Sequence, residues 1–176
     1  PGTQQDPLSG YASYYSKDNE RALPGYYEVL LKTHRTKVEL TASDRVAFHR
    51  YTFPKDVEKH VMINLKDANG DDRPTDTYLE QINDTVIRGY RYSTGWSKKQ
   101  QIYFSAVFSQ PVHLTLYHDS VQVAGNRLQG LDVKGNVAVA PVVEELGVKV
   151  GISPVSMENA MDNIGQEIKD WNFENI

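Results

Sequence analysis

Apolar and polar residues alternate with a period of two along much of this chain, the pattern of strands with one buried face. In Thr36-Lys37-Val38-Glu39-Leu40-Thr41-Ala42, the residues Val38, Leu40 and Ala42 share one face. The run Val46 to Phe53 follows after the turn-like pair Ser43-Asp44, so the two read as a hairpin. Further strand-like runs are Tyr26 to Leu31, His60 to Leu65, Thr77 to Ile82, Thr85 to Tyr92, Gln101 to Phe108, Val112 to Tyr117 and Val148 to Ser153. Between them lie Asp67 to Pro74, Asn83-Asp84, Ser93-Thr94-Gly95 and Gln110-Pro111, all rich in turn formers. Short strands joined by turns rather than helices predict an all-β antiparallel sandwich or barrel.

Two stretches lack the pattern. Residues 1–24 read as an irregular arm, and residues 120–146, which contain Pro141 and three glycines, are the least regular part. Beyond Ser153 the period changes. Met157, Ala160, Met161, Ile164 and Ile168 lie at the spacing of one helix face, predicting a helix over 155–169 capped by Ser153 or Ser156. Trp171 falls just past its end. A lone amphipathic helix must bury its stripe, either on the sheet or on a further helical domain. A stripe left partly exposed is the expectation if its partner lies elsewhere.

Composition narrows the function. With 176 residues, 39% hydrophobic and 24% charged, the chain suffices for one domain with a real core. The net charge is −4 and Lys98-Lys99 is its only basic doublet, so no patch tracks a phosphate backbone and nucleic acid is excluded as a partner. Cysteine is absent, which removes thiol nucleophiles, disulfides and zinc–thiolate sites. No apolar run approaches the roughly 18 residues of a membrane span. The first seven residues lack the basic and apolar regions of a signal peptide. Eleven tyrosines stand against five phenylalanines and two tryptophans. That bias suits half-buried strand faces, or a surface on which sugars stack.

Candidate chemistry is sparse. The acidic pairs Asp71-Asp72 and Glu144-Glu145 read as solvated loop charges. Asp67-Ala68-Asn69-Gly70-Asp71 imitates the start of a calcium loop, but its glycine comes fourth instead of sixth and Tyr78 stands where the twelfth-position glutamate is needed. Histidines 34, 49, 60, 113 and 118 form no pair at metal-ligand spacing, and His49 reads as a packed or surface strand residue. Trp96 is the best candidate for touching a sugar. It sits in the turn Ser93-Thr94-Gly95-Trp96, with Arg91 near enough to donate to hydroxyls. Packing at the sandwich edge or at a domain interface is the alternative role for Trp96.

Several blocks occur in an ordered series: Asn19-Glu20, Pro24-Gly25-Tyr26-Tyr27-Glu28-Val29-Leu30-Leu31, Val38-Glu39-Leu40-Thr41-Ala42 and His49-Arg50-Tyr51-Thr52-Phe53-Pro54. They continue through Gly89-Tyr90-Arg91-Tyr92-Ser93 with Gly95-Trp96, Val107-Phe108-Ser109 with Pro111, Val148 to Ser153, Val155-Ser156 and Glu158-Asn159-Ala160. In this series the chain resembles the N-terminal domain of glycoside hydrolase family 92. The resemblance implies a β-sandwich over 1–153 and a linker helix within 154–176 that leads to an (α/α)₆ catalytic barrel outside this chain. It further implies an exported bacterial enzyme, periplasmic or cell-surface, acting on mannose-containing glycans. The implied reaction is inverting, calcium-assisted, exo-acting hydrolysis of terminal α-1,2-linked mannose. On that reading the catalytic acid and base and most calcium ligands belong to the barrel, so this chain supplies no catalytic or metal-binding residue and is inactive alone. The chain would begin inside its domain and end about where the barrel starts. One departure stands at Lys17, where many members carry a histidine after the serine. A stand-alone carbohydrate-binding sandwich is the alternative function, and a scaffold that only braces its neighbour is a third.

Overall fold

The computed structural model describes residues 12–55, 57–68 and 70–176. Among them the strands are β1 (Glu20–Leu23), β2 (Tyr26–Leu31), β3 (Thr36–Ala42), β4 (Val46–Thr52), β5 (Lys59–Asn64), β6 (Arg73–Asn83) and β7 (Val86–Thr94). These are followed by β8 (Gln100–Phe108), β9 (Val112–His118), β10 (Val121–Val123), β11 (Arg127–Gly130), β12 (Val133–Val139) and β13 (Glu145–Ser153). One helix, α1 (Met157–Glu167), comes last before a short 3₁₀ turn at Phe173–Asn175. The strands form two antiparallel sheets. The larger runs β1-β2-β3-β4-β13-β8-β7-β6-β11 and the smaller runs β10-β9-β12-β5. The hairpin expected around Ser43-Asp44 is present, with Ala42 opposite Ala47. The fold is therefore the sandwich that the alternation implied.

The sandwich core is built by alternation. Leu79, Ile87, Ala106, Phe108, Leu146 and Val148 of the large sheet meet Leu114, Leu116, Val133, Val137 and Val139 of the small one. Full burial of each such side chain contributes about 1.5–3 kcal/mol relative to exposure. Strand β12 lies in the stretch where the sequence shows no regular pattern. Its inward position 135 is glycine, because a Cβ there would lie 2.6 Å from Leu79 Cδ2 and 2.7 Å from Leu114 Cδ1.

The opposite face of the large sheet carries a second, smaller core. Val46 and Phe48 of β4 pack against Ile164, Ile168 and Phe173. The stripe on α1 is buried at Ala160, Ile164 and Ile168, which are 0%, 5% and 3% exposed, and half-buried at Met157 and Met161, so the expected partial exposure is confined to those two methionines. The helix lies on the chain's own sheet. Polar groups fix it there: Ser105 donates to the Met157 carbonyl at 2.8 Å, and Asn163 Nδ2 to the Ile152 carbonyl at 2.9 Å. Glu167 accepts from Ser43 at 2.6 Å and pairs with Arg45 at 2.6 Å. Trp171 is not free beyond the helix either. Its ring covers Gly147, stands edge-on to Phe48 and lies 4.2 Å from the ammonium of buried Lys149, whose pKa burial lowers.

Ser156 is the N-cap, its side chain accepting from Asn159 N at 3.0 Å. Replacing it by alanine leaves that N–H to water and is expected to cost about 1 kcal/mol. Denaturant unfolding would show this as a lower midpoint at unchanged slope. A loss under about 0.3 kcal/mol would mean that the side-chain contacts of α1 alone hold its first turn.

The tyrosine bias has a structural account. Tyr78, Tyr90, Tyr92 and Tyr103 form a ladder across β6, β7 and β8, with Tyr78–Tyr90 and Tyr90–Tyr92 stacked at 5.5 and 4.4 Å. The Tyr92 and Tyr103 hydroxyls meet at 2.6 Å, and Tyr90 donates to Asp76 at 2.9 Å. These rings mostly face one another, which is how cross-strand aromatic pairs stabilise a sheet.

Candidate functional site

The turn between β7 and β8 projects Trp96 into solvent; the ring is fully exposed. Among the described residues the ring packs on nothing at the sandwich edge, so it is free to meet a sugar or a neighbouring domain. Beside it lies a cleft of about 510 Å³ lined by Asp71, Asp72, Gly95, Trp96 and Gln100. That volume falls within the range of small-ligand sites. Asp71 and Asp72 precede β6, Gly95 and Trp96 follow β7 and Gln100 opens β8; the first two segments touch where a Cβ on Gly95 would lie 2.9 Å from Asp72 Cα.

Arg91, on β7, ties Leu65 and Asp72 to that strand. Its Nε donates to the Leu65 carbonyl at 2.9 Å, and its Nη2 stands 2.7 Å from Asp72 Oδ1, an ion pair without the alignment of a hydrogen bond. Ser93 donates to the other Asp72 oxygen at 3.1 Å. Sequence suggests Arg91 as a donor to sugar hydroxyls; the structure instead engages its Nε and Nη2 inside the protein. It also removes Asp72 from the solvated charges. The Arg91 guanidinium beside Asp72, with Ser93, holds its carboxyl below the ordinary range. Asp72 is thus held ionised between Arg91 and Ser93 and does not fit the role of a proton donor.

Sequence reasoning missed Asp72 and Gln100. The β6–β7 pairing is the signal that could have found Asp72, since it sets Arg73 opposite Thr94. Two register shifts, between Gln81 and Asn83 and between Pro74 and Asp76, defeat simple counting from the turn.

The remaining candidates are structural. His49 faces inward, with its Nδ1 2.9 Å from the Tyr51 hydroxyl, and burial lowers its pKa. Burial also pushes Tyr51 up to about 12. Glu144 pairs with Lys55 at 3.3 Å in an exposed contact worth little. Lys17 is exposed and pairs with Glu20 at 2.7 Å. In the loop imitating a calcium site, Gly70 turns the chain at φ 67° and Asn69 lies outside the described residues. Among the described residues no three His, Cys, Asp or Glu side chains gather to hold a metal ion. The carboxylates whose pKa values are perturbed (Glu20, Glu28, Glu39, Asp72, Asp132, Glu158 and Glu167) are all shifted downward, whereas a general acid needs the opposite shift.

Fold and site together define a two-sheet β-sandwich that presents an exposed tryptophan on a hairpin turn beside a small cleft. The family model described as the glycosyl hydrolase family 92 N-terminal domain matches residues 1–153, and the chain belongs to that family. Solved structures agree. A family 92 α-mannosidase from Bacteroides thetaiotaomicron is 31% identical and superposes with a TM-score of 0.92 over 99% of this chain and 25% of its own. Its complex with mannoimidazole is also 31% identical, with a TM-score of 0.88 over 96% of this chain and 23% of that one. An inverting family 92 mannosidase from the same organism, at 21% identity and a TM-score of 0.76 over 90% of this chain and 21% of its own, shares the fold. This chain therefore spans about a quarter of the length of these relatives. A comparison with curated protein sequences returns no significant match. No helix among the described residues is long and apolar enough to cross a membrane.

Proposed function

We infer that this chain is the N-terminal domain of an exo-acting α-mannosidase and forms one wall of its substrate site. The observation that carries this is the family match across 1–153, joined to a 31% identical relative that is an α-mannosidase. Terminal α-1,2-linked mannose on glycans is the proposed substrate, removed with inversion by an (α/α)₆ barrel following residues 154–176. Because α1 is bolted to the sheet, that barrel would join a rigid frame. Export to the periplasm or cell surface belongs to the same reading.

Inverting hydrolysis needs two carboxylates about 6.5–9.5 Å apart with a water between them, one of them held protonated. The downward-shifted carboxylates of this sandwich do not fit that acid role. The described residues do not fit a calcium ion either, so no step runs through one here, and calcium in the whole enzyme would be held by the barrel. Binding is what this domain's own residues supply. Trp96 offers an indole face to the C–H face of a hexose, while Asp72 and Gln100 meet its hydroxyls. Arg91 keeps loop 65–72 against the Trp96 hairpin.

The experiment is Trp96→Ala in the full-length enzyme. KM for an α-mannoside should rise about tenfold with kcat little changed, the split expected for lost binding. The 176-residue chain with the same substitution should unfold within about 0.5 kcal/mol of the parent, since an exposed side chain is removed. Unchanged KM would sink the role of Trp96. Mannoside turnover by the purified 176-residue chain would sink the division of labour. Saturable mannose binding by the chain alone, lost in the variant, would favour the stand-alone binding module.

A further inference from the structure

Every open sheet has edges that invite further pairing, and natural proteins blunt them with short strands, charges or cover. Three of the four edges here are short. β1 and β11 at the ends of the large sheet have four residues each, and β10 on the small sheet has three. The fourth is different. β5 has six residues, pairs among the described residues only with β12, and carries no Pro, Asp or Glu. Its single Lys59 is buried with its ammonium on the Pro141 carbonyl, so that charge does not guard the edge.

A cleft of about 680 Å³ lies against this edge. Consecutive residues of β5, including Val61 and Met62, line it, so the cleft follows the backbone and not one face of the strand. Across it stand Leu31 of β2 and Thr36 of β3, with Tyr51 and Phe53 alongside.

The sheets are also mismatched in width. The large sheet has nine strands and the small one four, and the core between them draws no residue from β1, β2 or β3. Yet β2 and β3 alternate as strands with a face to bury, placing Tyr27, Val29 and Leu31, and Val38 and Leu40, on one side. The second layer stops at β5 while the first continues.

We propose that the β5 edge receives an extended strand from the rest of the family 92 polypeptide, continuing the small sheet over β3 and β2. This rests on the reading above that the chain works as part of a longer enzyme; the relatives' chains are about four times the matched length. The incoming strand forms main-chain hydrogen bonds to β5, as in recognition by strand addition. Its side chains alternate, apolar ones entering the cleft beside Leu31, Tyr51 and Phe53 and polar ones lying with His60 and Met62. The β2–β3 turn, through Thr33, His34 and Arg35, walls the far side of the cleft, so it is bounded as a channel along β5.

Residue-resolved amide hydrogen exchange tests this, comparing the 176-residue chain with the full-length polypeptide. In the short chain, alternate amides of residues 59–64 should exchange freely, the others being held by β12. In the full-length protein those free amides should slow by about a hundredfold or more, giving protection at every residue of the strand. Unaltered exchange at 59–64 in the full-length protein overturns the proposal. So does slowing spread evenly over 54–66 with no alternation, which would mean a surface laid across the edge without pairing. Mannosidase assay of the same sample tests the functional reading separately. Protected but inactive protein keeps the strand and loses the function, whereas active but unprotected protein does the reverse.

Discussion

Gly151→Ala should destabilise the domain by about 3 kcal/mol, the upper range for overpacking, and lower its melting temperature by about 6–12 °C for a chain of this size. A Cβ at this position would lie 2.1 Å from the Ala160 carbonyl oxygen and 2.8 Å from Ile164 Cγ1. The first obstacle is backbone, which cannot rotate away. Either α1 lifts off β13, exposing Ile164 and Ile168, or the strand bends out of register with β8 and β4. Gly165→Ala is the control. That glycine sits on the exposed side of α1, where an added methyl would meet nothing within 4 Å, so the change should stabilise by about 0.5–1 kcal/mol. Thermal melts followed by far-UV circular dichroism give both numbers. A Gly151→Ala variant within 1 kcal/mol of the parent would mean that the helix is seated less tightly than the 0–5% exposure of Ala160, Ile164 and Ile168 indicates.

This glycine also marks where the sequence could be read and where it could not. Strand β3 was legible because it alternates, β2 and β4 because they are short runs rich in aromatic and β-branched residues bounded by turn formers, and the helix because five apolar residues repeat at its period. That Val148-Lys149-Val150-Gly151-Ile152-Ser153 carries a helix on its polar-looking side was not legible. Lys149 and Gly151 read as a solvent face, yet Lys149 is 4% exposed, donating to the Ile168 carbonyl under Trp171. A buried cation over an aromatic ring looks in sequence like any surface lysine. Strand β12 was hidden by the opposite substitution, a glycine in the core phase where no side chain fits. Strand β1 was lost in the arm because four residues are too few to show a period. At the candidate site Trp96 could be found from its turn. The bracing role of Arg91 could not, because its partners Leu65 and Asp72 arrive through a loop whose path no local pattern encodes.

Glu39→Gln should cost about 3 kcal/mol, the low end for breaking a buried ion pair. Glu39 is 4% exposed on β3 and receives Arg50 in a two-pronged pair, Nε at 2.9 Å and Nη2 at 2.8 Å. Lys37 adds a contact at 3.2 Å, and the Tyr26 hydroxyl lies 2.9 Å from Glu39 and 2.6 Å from Glu28. The arginine carries the tie onward, with its guanidinium 4.3 Å over Phe173 and its Nη1 3.0 Å from Glu174. One carboxylate thus joins β2, β3, β4 and the segment after α1. The amide keeps the shape but leaves a half-buried guanidinium facing an N–H. Acid should reveal the same energy. The Arg50 hydrogen bonds, against the opposing effect of burial, hold the Glu39 carboxyl at about 2, below its ordinary 4.5. A depressed carboxylate stabilises the fold above its unfolded pKa and ceases to do so as the pH falls through the folded one. The gap in unfolding free energy between parent and Glu39→Gln should therefore be constant above pH 4.5 and shrink between 4.5 and about 2. Urea titrations at pH 7, 4.5, 3.5 and 2.5 measure it, and a gap unchanged down to pH 2.5 would assign the loss to side-chain shape instead of charge. Pairing the change with Arg50→Gln closes the argument: the double variant should lose less than the two single variants added together, since neither charge is then left buried alone.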